Sequence, residues 1–545
     1  LAPGLVTASA AENARGGTVL KFHKERNAVR AGDVIALACK NDAQELFAQG
    51  QALEALEVTK ADVENGMVYV PPIPGVRCEL VAGIASSSSP YALVELPPES
   101  AGVQGPFRPT QGHLSFTRER DEMRVAWTTH FDDAVPEVQY GYAPGEYKFR
   151  SYGTSSSYSA ASMCNAPANE TSPLKFIHPG SIHRVVLTGL SPGATVYYRY
   201  GDEAHGFSRE RSFTARRAAT LPEDGSSTRA IMYADQALPV WEAAPAWRLV
   251  ELVVMDITEN GYDSFLLHPG DLGYAMGSGY IWDVYMTLIE PVSSRIAYQV
   301  TVGNHEYDHV GLRRDPSGAP AGGWHPQAEG EAWGNMGDDS NGECGVPVVA
   351  RFDGTSDNGN GVFWYSFDEG GVHNVIFSSE HDWRRGSEQW RWLEQDLAKV
   401  DRTQTPWVVV ATHRMMYTTQ LCEMGDYNVS LGMRDHLEDL FTQNKVNVML
   451  VGHQHSYERS CAAYRGECVA DGKSGTVHLV VGSAGAHTER CGFAPPKQFG
   501  NFSLAHIDDY GYVRIDANKD RMQIDFVRVR EQGEVWDSVE ILPWV

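Results

Sequence analysis

Phe265-Leu266-Leu267-His268-Pro269-Gly270-Asp271-Leu272-Gly273-Tyr274 opens as a short apolar run and ends in residues able to bind a metal ion. Four other runs share that form. Ala230-Ile231-Met232-Tyr233 leads to Asp235, and Tyr298-Gln299-Val300-Thr301-Val302 to Gly303-Asn304-His305-Glu306. Trp407-Val408-Val409-Val410-Ala411 leads to His413, and Val448-Met449-Leu450-Val451 to Gly452-His453-Gln454-His455. Runs of this length, separated by amphipathic stretches, read as strands buried on both faces of an α/β domain. The carboxyl ends of parallel strands converge on one crevice, so donors placed there gather in space.

The amphipathic stretches are Trp247 to Thr258, one beginning at Ser387 with Trp390, Leu393, Leu397 and Val400 on one face, and Met433 to Phe441. After Gly511 the alternation becomes two-fold (Val513 and Ile515; Met522, Ile524 and Phe526), which predicts closing antiparallel strands. A chain of 545 residues exceeds what one core serves, so several domains are expected. Residues 1–108 read as a small β domain. Residues 109–217 read as a β-sandwich with strands at His113 to Phe116, Met123 to Thr128, Glu137 to Tyr142, Arg184 to Leu187 and Val196 to Tyr200. Its Leu190-Ser191-Pro192-Gly193 turn, followed by Tyr197 and Tyr198, resembles a fibronectin type III corner. Residues 228–545 form the α/β part.

The formal charge of -25 argues against a nucleic-acid binder, which needs a basic face. No apolar run is long enough to span a bilayer. Eight cysteines and the sequons at Asn169, Asn428 and Asn501 point to an oxidising, secretory route with N-linked glycans. Cys461 with Cys468, and Cys39 with Cys78, are candidate pairs.

Two Asp, one Asn, three His and one Tyr are too many donors for one ion and suit two, with Asp271 able to bridge them. In their order, the blocks D-x-x, G-D-x-x-Y, G-N-H-E, x-x-H and G-H-x-H resemble the signature of purple acid phosphatases within the calcineurin-like metallophosphoesterases. Met163 to Asn169, Gly342 to Pro347, Ser379 to Trp383 and Ser456 to Arg459 also resemble segments of the large plant-type members.

That resemblance implies an α+β multidomain fold, with N-terminal β-sandwich domains before a two-sheet α/β metallophosphoesterase domain. It implies ferric iron on Asp235, Asp271, Tyr274 and His455. A divalent zinc, manganese or iron would sit on Asp271, Asn304, His413 and His453, with His305 contacting the substrate phosphate. The implied enzyme is a secreted acid phosphatase that hydrolyses monoesters by attack of a metal-bound hydroxide. A phosphodiesterase or nucleotide pyrophosphatase on the same site, or a catalytically silent binding module, are the alternatives.

Two departures stand out. Asp235-Gln236-Ala237 replaces the family's Asp-x-Gly, a change without consequence if position 237 has ordinary backbone angles. Met415 to Glu423 holds no histidine where well-known plant members carry a pair. His309, His325, His381 and His487 are the remaining candidates for a leaving-group acid.

Overall fold

The computed structural model describes residues 109–129, 135–171, 175–222, 225–237, 244–307, 339–355, 360–422, 424–495, 498–530 and 533–544. It also describes the backbone of seven strands between Leu5 and Glu95. These seven pair antiparallel into a three-stranded and a four-stranded sheet. The expected pairing of Cys39 with Cys78, and the histidines at 309 and 325, fall outside the described residues.

The next unit is a β-sandwich. Strands Thr154–Ser156, Ser181–Leu187, Met123–Thr129 and Thr110–Ser115 form one sheet. Phe149–Tyr152, Glu137–Gly141 and Thr195–Asp202 form the other, with Gly206–Phe207 and Arg211–Thr214 also paired to Thr195–Asp202. Val196, Tyr198 and Tyr200 alternate inward, and the Tyr200 ring stacks on Trp127 at 5.3 Å. The Leu190 to Gly193 turn joins strands of opposite sheets, so it is a corner that crosses the sandwich, with Gly193 in the left-handed region (φ 71°). Strands Phe149–Tyr152 and Thr154–Ser156 escape a sequence reading because they are edge strands without an apolar face.

The remaining chain builds two mixed sheets. Strands β1 (Thr228–Met232), β2 (Leu266–Pro269) and β3 (Tyr298–Thr301) run parallel. The second sheet begins with the hairpin of β4 (Tyr365–Glu369) and β5 (Val372–Ile376). It continues in parallel through β6 (Trp407–Ala411), β7 (Val448–Val451) and, beyond an antiparallel β8 (Tyr457–Tyr464) in sequence, β9 (Thr476–Val481). The expected closing strands are β10 (Gly511–Ala517), β11 (Met522–Arg528) and β12 (Glu534–Ile541), antiparallel and joined to the first sheet through β1. The first sheet therefore has the order β3-β2-β1-β10-β11-β12.

Helices α1 (Ala244–Glu259), α2 (Gly279–Ser293) and α3 (Glu388–Ala398) supply much of the outer layer. Ser387 caps α3, its Oγ accepting from Trp390 N at 3.2 Å. The helix expected at Met433 to Phe441 starts earlier, at Met424, and passes through a π turn at Arg434–Glu438. Gly432 blurs its periodicity, and the Trp383 ring packs over that glycine. Within β1, Met232 faces the layer between the sheets while Ile231 faces the helices. Both faces are buried, which is why these strands read as continuous apolar runs. The inter-sheet core continues into the sandwich core through Leu114, Phe116 and Trp127. Glu290 of α2 adds polar anchors across the same junction, accepting from Tyr200 Oη at 2.7 Å and Gln111 N at 3.1 Å.

At the edge of the second sheet, His373 lies between Asp368 (2.6 Å) and Asp396 (3.0 Å). Burial opposes its charge, yet hydrogen bonds and attraction to both carboxylates raise its pKa to about 9. A raised imidazole stabilises the fold fully below its ordinary value of 6.5, and that share is lost as pH rises through 9. The expected loss is about 2–3 kcal/mol. Denaturant unfolding of wild type and His373→Gln across this window checks it; parallel pH profiles would show that the triad contributes nothing.

Candidate metal centre

The five loops that follow β1, β2, β3, β6 and β7 meet at one end of the two sheets. Asp235, Asp271, His413, Asn304 and His453 are buried, and Tyr274, His305 and His455 open partly to solvent. Two groups of donors emerge, Asp235, Asp271 and His455 in one and Asp271, His413 and His453 in the other, with donor atoms in each within 4.8 Å. Asp271 belongs to both. No other group of this kind exists among the described residues.

In the first group, Tyr274 Oη lies 3.0 Å from Asp235 Oδ1 and 2.7 Å from His455 Nε2. In the second, Asn304 Oδ1 lies 3.1 Å from His413 Nε2 and 3.0 Å from His453 Nδ1, and His413 Nε2 is 3.3 Å from Asp271 Oδ1. Outer nitrogens are tied to main chain: His413 Nδ1 meets Pro269 O at 3.1 Å and His455 Nδ1 meets His487 O at 2.8 Å. Each carbonyl takes the N–H of its ring and turns the Nε2 lone pair into the site, the tautomer that metal ligation needs.

The electrostatics point the same way. Burial favours a neutral His413, but the Asp271 and Asp235 charges overcome it and hold the ring protonated to about 10. His455, against Asp235, rises to about 9 despite burial. Burial and the two carboxylates raise the Tyr274 phenol well above its ordinary value. Without a cation, the carboxylates thus draw protons onto their neighbours, and a metal ion would displace those protons. The donor set is two anionic oxygens, a phenol, an amide oxygen and three imidazoles converging at two points that share one carboxylate. It fits two cations.

Backbone strain is concentrated here. Asp235 (φ 60°), Asp271 (φ 51°), Tyr274 (φ 53°) and His453 (φ 72°) all occupy the left-handed region. Each costs on the order of 1 kcal/mol or more for a residue with a Cβ. Ala237 does so too (φ 48°), so its replacement of the family's glycine carries a conformational cost that the sequence alone conceals. Gly303 and Gly452 are required for space, because a Cβ would collide with the Asp271 and Asp235 carboxylates respectively.

Glu306 has no separate reading in the sequence beyond the G-N-H-E block. Its carboxylate accepts from Asp271 N (2.7 Å), Leu272 N (2.8 Å) and Gly303 N (3.0 Å), binding the β2 and β3 loops into one frame. The His305 ring packs on Tyr274 with centroids 4.4 Å apart, and its Nε2 is 3.8 Å from Asp271 Oδ2. His381 is a core residue, stacked on Tyr307 at 4.3 Å, and His487 is exposed. The segment Met415 to Gln420 is buried, with Thr418 Oγ1 donating to Gln454 and Thr419 N donating to Glu458.

Three disulfides join described residues: Cys164–Cys344, Cys422–Cys491 and Cys461–Cys468. The last is the pair expected from spacing. No described helix is long and apolar enough to cross a membrane.

Comparison with known proteins accords with this geometry. Residues 109–215 match the purple acid phosphatase N-terminal domain, 245–457 the calcineurin-like phosphoesterase family, and 475–538 the iron/zinc purple acid phosphatase-like C-terminal family. A protein of Arabidopsis thaliana named probable inactive purple acid phosphatase 9 is 34% identical, over 80% of this chain and 67% of its own length. A Hordeum vulgare protein named nucleotide pyrophosphatase/phosphodiesterase is 28% identical, over 60% of this chain and 86% of its own. The solved structure of a purple acid phosphatase from yellow lupin (Lupinus luteus) seeds shares the fold. Its TM-score is 0.77 at 24% identity, covering 97% of this chain and 92% of that one.

Glu306→Gln would leave at least one of three buried N–H groups facing an amide that donates instead of accepting. The expected destabilisation is about 1–3 kcal/mol, together with weaker metal retention. Thermal unfolding and metal content check this; an unchanged melting temperature would remove the framing role.

Proposed function

The chain belongs to the purple acid phosphatase family, and from that premise we propose that it is a dinuclear-metal hydrolase of phosphate monoesters, an acid phosphatase. The observation that carries the reading is the pair of donor groups sharing Asp271, with Tyr274 in one of them. Asp235, Asp271, Tyr274 and His455 would hold ferric iron, because a phenolate is a hard anionic donor. Asp271, Asn304, His413 and His453 would hold a divalent zinc, manganese or iron. When bound, two such cations lower the pKa of water and offset charge on a phosphoryl group.

The chain's own groups do the rest. Tyr274 would give up its phenolic proton on binding a cation, and would then hold that cation as an anionic oxygen donor. His305 Nδ1–H is directed at Asp339 O (3.3 Å), leaving Nε2 as the ring atom nearest the Asp271 carboxylate. With a proton on Nε2, His305 would donate to a phosphate oxygen. Gly270, Gly303 and Gly452 let main chain close around the carboxylates, and the buried second half of the site excludes water.

The buried Met415 to Gln420 segment favours a second reading on the same site, cleavage of diester or nucleotide pyrophosphate bonds. A leaving group of low pKa departs without a proton, so a site whose Met415 to Glu423 segment holds no histidine handles anhydrides and aryl esters better than alkyl monoesters. Three disulfides and the exposed Asn169, Asn428 and Asn501 support passage through the secretory pathway with N-linked glycans. The acidic chain is expected to take small phosphate esters and no nucleic acid.

Tyr274→Phe tests the iron assignment: the purified wild type shows a visible charge-transfer band that the variant loses. A colourless wild type that still hydrolyses phosphate esters would replace iron with another metal pair. Asp271→Ala is expected to abolish turnover and metal retention together, and an active, fully metallated variant would overturn the dinuclear reading. Rates on an alkyl monoester, an aryl monoester, a diester and a nucleoside triphosphate separate the two substrate readings. A wild type that holds no metal and hydrolyses none of them is a binding module instead.

A further inference from the structure

We propose that Asp339 is a positioning residue of the centre, aiming the Asn304 oxygen at the second cation and fixing the orientation of His305. The inference rests on the metal-centre reading above. A side-chain amide has two ends of similar shape and opposite polarity, and only the oxygen end binds a cation. Asn304 Nδ2 donates to Asp339 Oδ2 at 2.9 Å. Turning the amide over would set Asn304 Oδ1 against that carboxylate, two acceptors facing each other. By accepting from Nδ2, the Asp339 side chain selects the orientation in which Oδ1 faces His413 Nε2 and His453 Nδ1. Asn304 is buried, so no water competes for the choice.

The same residue acts on His305 through its main chain. Its carbonyl oxygen lies 3.3 Å from His305 Nδ1, which directs the N–H there and leaves Nε2 toward Asp271. One residue thus orients a proposed ligand of the second cation and the proposed phosphate-binding histidine. It does so from outside every motif that the sequence singled out for metal chemistry.

Asp339 can do this because its segment is held on several sides. Ser340 Oγ accepts from Cys344 N at 3.2 Å, and Cys344 is bonded to Cys164 of the preceding unit. Glu343 accepts from Gly277 N (3.0 Å) and Trp282 Nε1 (3.0 Å), fixing the segment to the loop and helix that follow Tyr274. Gly345 N donates to Glu306 O at 2.7 Å. The carboxylate is presented from a frame tied to both halves of the centre, as outer partners of metal ligands generally are.

The test compares Asp339→Ala and Asp339→Asn with wild type, loading each with zinc. Iron and zinc per chain, zinc affinity by competition with a chelator, the visible band and the unfolding temperature of the metal-free protein are measured. Asp339→Ala is expected to bind zinc on the order of 10–100-fold more weakly. Its visible band, carried by the other half of the site, and its metal-free unfolding temperature stay at wild-type values. Asp339→Asn, whose amide oxygen can accept the same N–H, regains most of the zinc affinity. Wild-type zinc affinity in Asp339→Ala would overturn the proposal, as would loss of zinc, band and stability together. A wild type that binds neither ion would overturn the metal-centre reading beneath it, and the two failures are told apart by the wild-type measurement alone.

Discussion

Two buried carboxylates, with no lysine or arginine ion-paired to either among the described residues, set the terms for this fold. Asp235 and Asp271 are at most 1% exposed, and their charge partners among the described residues are the histidines of the same cluster. Burying an ionised carboxylate costs several kcal/mol unless charge and hydrogen bonds compensate it. Here the compensation is divided. Main-chain N–H groups of His305 and His453 donate to Asp271 and Asp235. The remaining negative charge falls to protonated imidazoles or to cations, and a site with two converging donor groups is built for cations.

The surrounding architecture is the means of bringing that charge together. Parallel strands from two sheets end at one edge, and each delivers its donors on a loop only a few residues long. Short loops cannot aim side chains without unusual backbone angles, which accounts for four of the proposed ligands having positive φ. The strain is sustained by the core beneath it, a continuous apolar layer running between the sheets and into the β-sandwich. Glu306 converts the β2 and β3 loops into a single rigid unit, and the Asp339 to Gly345 segment extends that unit to α2 and the Tyr274 loop. Precision at the centre is therefore a property of the network rather than of the ligand residues.

Membership of a phosphatase family does not by itself establish turnover, and four relatives are named probable inactive. The distinction is physical. This chain brings the candidate donors together, and of the Met415 to Glu423 segment that lacks the histidines of well-known plant members, Met415 to Gln420 is buried and Glu423 lies outside the described residues. Thr418 and Thr419 there bond to Gln454 and Glu458, so the segment buttresses the G-H-x-H loop. On the proposed reading, such a site would keep the means to activate water and give less help to a poor leaving group.

The sequence by itself determined the fold class and gathered the candidates. A strand buried on both faces must be apolar throughout, so its end is marked wherever a glycine and a metal donor follow. The sandwich was legible at Val196, Tyr198 and Tyr200 because one-sided burial enforces alternation, whereas its polar edge strands left no such mark. The resemblance already implied Asp271 as the shared carboxylate, and only the tertiary structure brought the loops together so that it belongs to both donor groups. Tertiary structure also decided that Ala237 adopts a glycine-like angle, that His381 is a core residue, and that Glu306 and Asp339 are bonded to the loops of the site. Those roles rest on distances between segments from tens to nearly two hundred residues apart, and pattern along one chain records periodicity and local geometry but not which loops will touch.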